Sequence, residues 1–184
     1  MPQGAYQHRL LQRLWMKIRR AKIYFEVILS NMKTILTPVD FSPATREVIN
    51  ATVNLAKPLG AHVLLLHSLQ PPVVTTDYGI GIEVLHETLA INEKVAVHQL
   101  EHLKAVLKSK GLVTDTILVN GHAATHIIEQ ARNLKADYII LGSHGHTAFY
   151  DLLVGSTTHD VLMKSPCPVI VVPPAKKTKP AKKR

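Results

Sequence analysis

The stretch that decides the fold runs Tyr138-Ile139-Ile140-Leu141-Gly142-Ser143-His144-Gly145-His146-Thr147-Ala148, then, after six residues, Gly155-Ser156-Thr157-Thr158. Its first four residues are apolar and read as a buried strand. Beyond it, Val161-Leu162 and on to Lys164-Ser165 follow helical periodicity. Two glycines three apart and a Gly-Ser-Thr-Thr cluster thus lie between a strand and a helix. Glycines there let backbone N–H groups crowd around an anion, and the helix N-terminus adds partial positive charge. Ser156, Thr157 and Thr158 add hydroxyl donors at the same helix start. The pattern reads as a phosphate site. Neither G-x-x-x-x-G-K-[ST] nor G-x-G-x-x-G occurs, since Gly79-Ile80-Gly81 stops short, so neither standard fingerprint applies.

Working outward, strands and helices alternate. Ile35-Leu36-Thr37-Pro38-Val39 is a short buried strand ending at Asp40. Ser42-Pro43 reads as an N-cap followed by proline at the first helical position. Val48, Thr52, Leu55 and Leu59 then recur at helical spacing, and Gly60 closes that helix. His62-Val63-Leu64-Leu65-Leu66-His67 is a second strand, apolar enough to be covered on both faces. After a loop over 71–81, Ile82, Leu85, Leu89, Ala96, Leu100, Leu103 and Leu107 mark a long helix ended by Gly111. Thr116-Ile117-Leu118-Val119 is strand three. Gly121 opens a shorter helix packed through Ile127, Ile128 and Ala131. Residues 137–141 form strand four and 168–172 strand five. This alternation predicts an α/β fold, an open five-stranded parallel sheet with helices on both faces, in one domain.

Composition supports that class. The chain has 184 residues, is 46% hydrophobic and carries a net charge of +9. Residues 1–31 hold six Lys/Arg against one Glu, and 176–184 hold six with no acid. The basicity therefore belongs to the two ends, and the body between them is slightly acidic. Near the N-terminus Leu10, Leu11, Leu14, Trp15 and Ile18 oppose Arg9, Arg13, Lys17 and Arg20 as a basic amphipathic helix. The expected organisation is an N-terminal extension (1–31) outside the fold, a domain (32–174) and a basic, solvated tail (175–184). Contact of these ends with nucleic acid or an anionic membrane is the lesser reading of both. Cys167 is the single cysteine, so no intrachain disulfide forms and a reducing, cytoplasmic setting fits.

The spacing G-x2-G-x9-G-[ST] resembles the nucleotide-binding signature of the universal stress protein family, in its ATP-binding branch. Lys33-Thr34-Ile35-Leu36-Thr37-Pro38-Val39-Asp40-Phe41-Ser42 resembles the family's opening strand and turn. Ser165-Pro166-Cys167-Pro168-Val169-Ile170-Val171-Val172 resembles its closing strand. The resemblance covers roughly residues 32–173. It implies strand order 3-2-1-4-5, with ATP bound where the order reverses and Mg2+ only as companion of the phosphates. It assigns Asp40 to the nucleoside, Pro38 and Val39 to the adenine pocket, and the Ser68 backbone to the base. The phosphates fall to Gly142, Ser143, His144, Gly145, His146, Thr147, Ala148, Gly155, Ser156, Thr157 and Thr158. It also implies a homodimer through the apolar edge strand Val169–Val172.

Other chemistry is weakly signalled. From the residues alone, Asp40 is equally a turn aspartate, although Ser42 stands ready to cap and would relieve it of that duty. His144 and His146 lack a third ligand at local spacing. The i,i+4 pairs His98/His102 and His122/His126 lack the Glu of H-E-x-x-H, so all read as surface histidines and no metal is expected. Residues 142–148 contain no Lys or Arg to neutralise a γ-phosphate, and Asp151 and Asp160 read as solvent-facing. No catalytic residue is assigned, and any ATP hydrolysis should be slow. Cys167, in an apolar strand entry, reads as a structural thiol. The function expected is nucleotide binding in the service of a stress-response regulator. A nucleotide-free interaction module of the same fold is the alternative.

Overall fold

The computed structural model describes residues 19, 32–70, 82–143 and 154–175. The N-terminal amphipathic segment, the 71–81 loop, residues 144–153 of the glycine stretch and the 176–184 tail lie outside the described residues. The chain divides into two compact units, Met1–Met32 and Lys33–Arg184, and the elements below belong to the second.

Five strands are described: β1 (Thr34–Pro38), β2 (His62–Leu69), β3 (Val113–Asn120), β4 (Tyr138–Gly142) and β5 (Val169–Val172). Between them run α1 (Thr45–Leu59), α2 (Ile82–Ser109), α3 (Ala123–Asn133) and α4 (Ser156–Lys164). The sheet order is β3-β2-β1-β4-β5, as the family resemblance implies, and every neighbouring pair is parallel, as the alternation of elements predicts. The order reverses at β1, which has β2 on one side and β4 on the other.

The period-two alternation of the strands builds two cores. Ile35, Val63, Leu65 and Ile140 point to one face, with Val48, Ile49 and Ala56 of α1 and Leu100 and Leu107 of α2. Leu36, Leu64, Leu66, Ile139 and Leu141 point to the other, against Ile127, Ile128 and Ala131 of α3 and Val161 of α4. Each such large side chain contributes about 1.5–3 kcal/mol on burial. One polar pair sits inside. The Thr52 hydroxyl donates to Val48 C=O at 2.9 Å and lies 3.3 Å from that of Thr37. Its hydrogen being used, Thr52 is the acceptor and Thr37 the donor, so neither buried hydroxyl is orphaned.

Helix ends follow local chemistry in one place and depart from it in another. Gly60 adopts a left-handed conformation (φ 56°) and its N–H turns back to the last carbonyls of α1. At the other end the expected Ser42 cap is not made. The helix begins at Thr45, Thr45 N–H bonds Ser42 C=O at 2.9 Å, and Ser42 and Pro43 lie in a preceding turn. Among the described residues the buried Ser42 hydroxyl has no hydrogen-bond partner.

Two other boundaries shift. β3 starts at Val113, because pairing with β2 from His62↔Val113 onward carries Thr114, Asp115 and Thr116 into the sheet despite their polarity. In α2, Ala96, Leu100 and Leu107 are buried whereas Leu89, Ile91 and Val95 are exposed, so between residues 87 and 109 the buried positions begin at Ala96.

At the amino end of the sheet, Asp137 ties β4 to β1. Its carboxylate accepts from Lys33 Nζ at 2.7 Å and from Thr34 N–H at 2.8 Å. These bonds, Lys33 first, hold its pKa below the ordinary carboxylate range. The same hydrogen bond raises that of Lys33.

Candidate functional site

At the carboxyl end the β1–β4 register, Ile35↔Tyr138 and Leu36↔Ile139, continued past the paired residues, brings Val39 level with Gly142. A crevice of about 740 Å³ opens there. That lies within the roughly 300–1,000 Å³ typical of small-molecule sites. Pro38, Val39, Asp40 and Phe41 form one side, and Leu66, His67 and Ser68 of β2 another. Gly142 and Gly155-Ser156-Thr157-Thr158 close the third, with Ala123 and Ile127 of α3 beside them. Nine of the residues singled out in the sequence therefore meet in one place. Ser143 is buried, and His144, Gly145, His146, Thr147 and Ala148 lie outside the described residues.

Asp40 takes the turn role that the residues alone left open. Its Oδ1 accepts Ser42 N–H at 3.0 Å and faces the Thr45 hydroxyl at 3.4 Å. Asp40 itself holds the turn into α1, and Ser42 does not relieve it.

Ser68 sits past the last paired residue of β1, where Pro38 meets Leu66. Val39 N–H bonds Leu66 C=O at 2.8 Å, so Leu66 directs its backbone polar groups toward β1. In a parallel ladder residue i+2 repeats that direction, and the Ser68 N–H and C=O therefore face the crevice. The Ser68 hydroxyl turns away and donates to Gly121 C=O at 2.7 Å.

The start of α4 supplies the electropositive end. Gly155 is the N-cap, in extended conformation (φ −67°, ψ 157°), and has no side chain with which to cap. The first intrahelical bond found is His159 N–H to Gly155 C=O at 2.9 Å. The N–H groups of Ser156, Thr157 and Thr158 thus have no acceptor within the helix, and no acidic residue sits in that first turn.

Two residues of this group hold structure in ways the sequence did not reveal. The Thr158 hydroxyl, expected to face a ligand, instead donates to Gly142 C=O at 2.8 Å. What Thr158 presents to a ligand is its N–H. Ser143 N–H bonds Val172 C=O at 2.9 Å and its C=O accepts Gly155 N–H at 2.8 Å. Its backbone therefore anchors β5 and the helix start.

Phe41, His67 and Thr45 also line the crevice and were not among the sequence candidates. Phe41 has a left-handed backbone (φ 59°) that non-glycine residues seldom adopt, and its ring packs on that of His67 with centroids 4.3 Å apart. No local pattern marks Phe41 and His67, because their contact joins β2 to the turn after β1.

The remaining histidines behave individually. His126 Nε2 donates to Asn120 C=O at 2.9 Å, and His122 Nδ1 lies 3.3 Å from the Thr125 hydroxyl, so the pair does not converge. Among the described residues no group of three or more His, Cys, Asp or Glu gathers as a metal site. Cys167 is half-buried, and desolvation raises its pKa, which suits a structural thiol. Among the described residues no helix is long and apolar enough to cross a membrane.

Comparison with known proteins gives the same fold. The model of the universal stress protein family matches residues 31–173. Universal stress protein YxiE of Bacillus subtilis is 32% identical over 144 residues, covering 75% of this chain and 97% of the relative. The solved structure of UspA from Lactobacillus plantarum superimposes with a TM-score of 0.68 at 27% identity, over 76% of this chain and 97% of that one. A universal stress protein from Archaeoglobus fulgidus, solved in complex with dAMP, shares the fold with a TM-score of 0.54 at 21% identity, over 77% and 97%.

Proposed function

The chain belongs to the universal stress protein family, and on that premise we propose that it binds an adenine nucleotide, ATP in the first instance, as a stress-response regulator. The observation that carries this reading is the N-terminus of α4, uncapped among the described residues and opening into the same crevice as Asp40. One end of the crevice offers a carboxylate and the Ser68 backbone, suited to ribose hydroxyls and a base. The other offers backbone N–H groups at a helix start, suited to phosphate. Between them Val39, Leu66 and Leu141 supply apolar surface for a ring.

The spacing of Gly142, Gly145 and Gly155-Ser156 supports the ATP-binding branch, and a structural neighbour was solved with dAMP. Pro38 and Val39 line the base pocket. Gly142, Ser143, His144, Gly145, His146, Thr147 and Ala148 wrap the phosphates together with the α4 start. Mg2+ would accompany the phosphates, held mainly by their oxygens. With no Lys or Arg in residues 142–148, turnover is at most slow.

The regulator reading has three further parts. The protein acts in the cytoplasm as a homodimer. Pairing runs through β5, the edge strand whose Ile170 side chain is exposed. The basic ends, 1–31 and 175–184, lie outside the working domain.

Mass analysis of small molecules released from purified protein, with titration by ATP, ADP and adenosine, tests the proposal. Recovery of an adenine nucleotide and saturable ATP binding are expected. A protein that is folded, carries no nucleotide and binds none of the three would instead be an interaction module of the same fold. If nucleic-acid affinity were found, its loss on removing both basic ends would place that activity outside the domain.

A further inference from the structure

Two contacts of His67 converge on the residues flanking Asp40. His67 Nδ1 lies 2.8 Å from Val39 C=O. A carbonyl only accepts, so this ring nitrogen carries its hydrogen and donates. On the other side of Asp40, the Phe41 ring packs on the same imidazole, centroids 4.3 Å apart and planes inclined by 34°. Phe41 is held at φ 59°, a conformation that costs a non-glycine residue about 1–3 kcal/mol unless its surroundings impose it. One side chain from β2 thus grips the residue before Asp40 by a hydrogen bond and the residue after it by its ring.

We propose that His67 is a positioning residue for nucleoside recognition, clamping the Val39–Phe41 turn so that the Asp40 carboxylate is presented to the ligand in one orientation. The inference rests on the nucleotide-binding reading above and adds a residue outside both the glycine signature and the opening strand. Two of its contacts run to the backbone and ring on either side of Asp40. All four residues, Val39, Asp40, Phe41 and His67, line the crevice. The strain at Phe41 is the independent sign, since backbone outliers persist where the surrounding structure over-determines them, at ligand clamps among other places.

The test uses the full chain and titration calorimetry with adenosine and ATP. His67→Phe keeps a ring against Phe41 but removes the donor, and His67→Asn keeps a donor but removes the ring. Loss of one hydrogen bond corresponds to roughly fivefold in affinity. His67→Phe should weaken adenosine and ATP by about that factor alike, leaving their ratio unchanged, and His67→Asn should recover part of the loss. In an Asp40→Ala background His67→Phe should have no further effect on adenosine affinity, because there is no carboxylate left to orient. A purely structural role would leave the His67→Phe loss undiminished in that background, and that result overturns the proposal. So does unchanged binding by either His67 variant when its thermal unfolding is cooperative. If His67→Phe does not fold, the same cycle run with Phe41→Leu decides, with weakened binding in the wild-type background and none added after Asp40→Ala expected. Wild-type protein that binds neither adenosine nor ATP would instead remove the nucleotide reading itself.

Discussion

The hydroxyl of Thr158 donates to the carbonyl of Gly142 across 2.8 Å, joining the end of β4 to the first turn of α4 over the chain segment that separates them. Gly155 N–H and Ser143 C=O make a second bond between the same two elements. The two ends of the glycine stretch are therefore fixed to each other whatever lies between, which sets where the bare helix start points.

Replacing Thr158 by Val should remove that pin at nearly constant volume. The acceptor is partly buried, so loss of its donor should cost about 1 kcal/mol, to be read from the urea midpoint. ATP affinity should fall as well, while adenosine affinity is retained, because the displaced N–H groups belong to the phosphate end. An unchanged urea midpoint would mean that the bond contributes nothing.

The two ends of the crevice should separate in binding experiments. Ser156→Ala should weaken ATP by about 1 kcal/mol, the scale of one hydrogen bond, and leave adenosine unaffected. A β-branched residue at Gly145, which lies outside the described residues, should block backbone approach to the phosphates and weaken ATP more strongly. Asp40→Ala should weaken ATP and adenosine alike, with some loss of stability because Asp40 also holds the turn before α1. If Gly145→Val bound ATP as wild type does while remaining folded, the phosphate assignment of that glycine would fail.

Pairing through β5 predicts sensitivity at Ile170, which is 37% exposed although it lies in an apolar edge strand. Ile170→Lys should shift sedimentation from dimer toward monomer with little change in unfolding of the protomer, since an exposed position tolerates charge. A dimer equally stable after this change would place the interface elsewhere.

Asp137 gives a pH dependence of determinable sign. Its pKa is lowered in the folded state, so its contribution to stability is fully present above the ordinary carboxylate value of about 3.9. That contribution is lost as pH falls through the lower folded-state value. Asp137→Asn should therefore reduce stability at neutral pH and flatten the decline of stability below about pH 4. Lys33 is largely exposed, which makes the effect modest. Acid unfolding curves that coincide for the two proteins would dismiss the tie as a stabilising contact.

The sequence by itself determined the layered architecture. Alternation such as Val63 and Leu65 against Leu64 and Leu66 assigns two faces to a strand, and both periodicities are local properties of the chain. Gly60 closed its helix for an equally local reason, the left-handed conformation that glycine adopts without strain. The place of the crevice was not local in this sense: it followed from the strand order that the family resemblance implied, which sets the end of β1 beside that of β4. Which polar group serves which purpose was decided only by the tertiary structure. Ser42 had the composition of a cap and makes none, Asp40 holds the turn in its place, and Thr158 spends its hydrogen on Gly142. His67 had no visible relation to Asp40 until β2 packed beside β1. A hydroxyl, an imidazole or a carboxylate takes whichever partner the fold brings within about 3 Å, and those partners come from other elements. Periodicity carries no record of that choice, because a hydrogen bond is set by distance and angle in space and not by spacing along the chain.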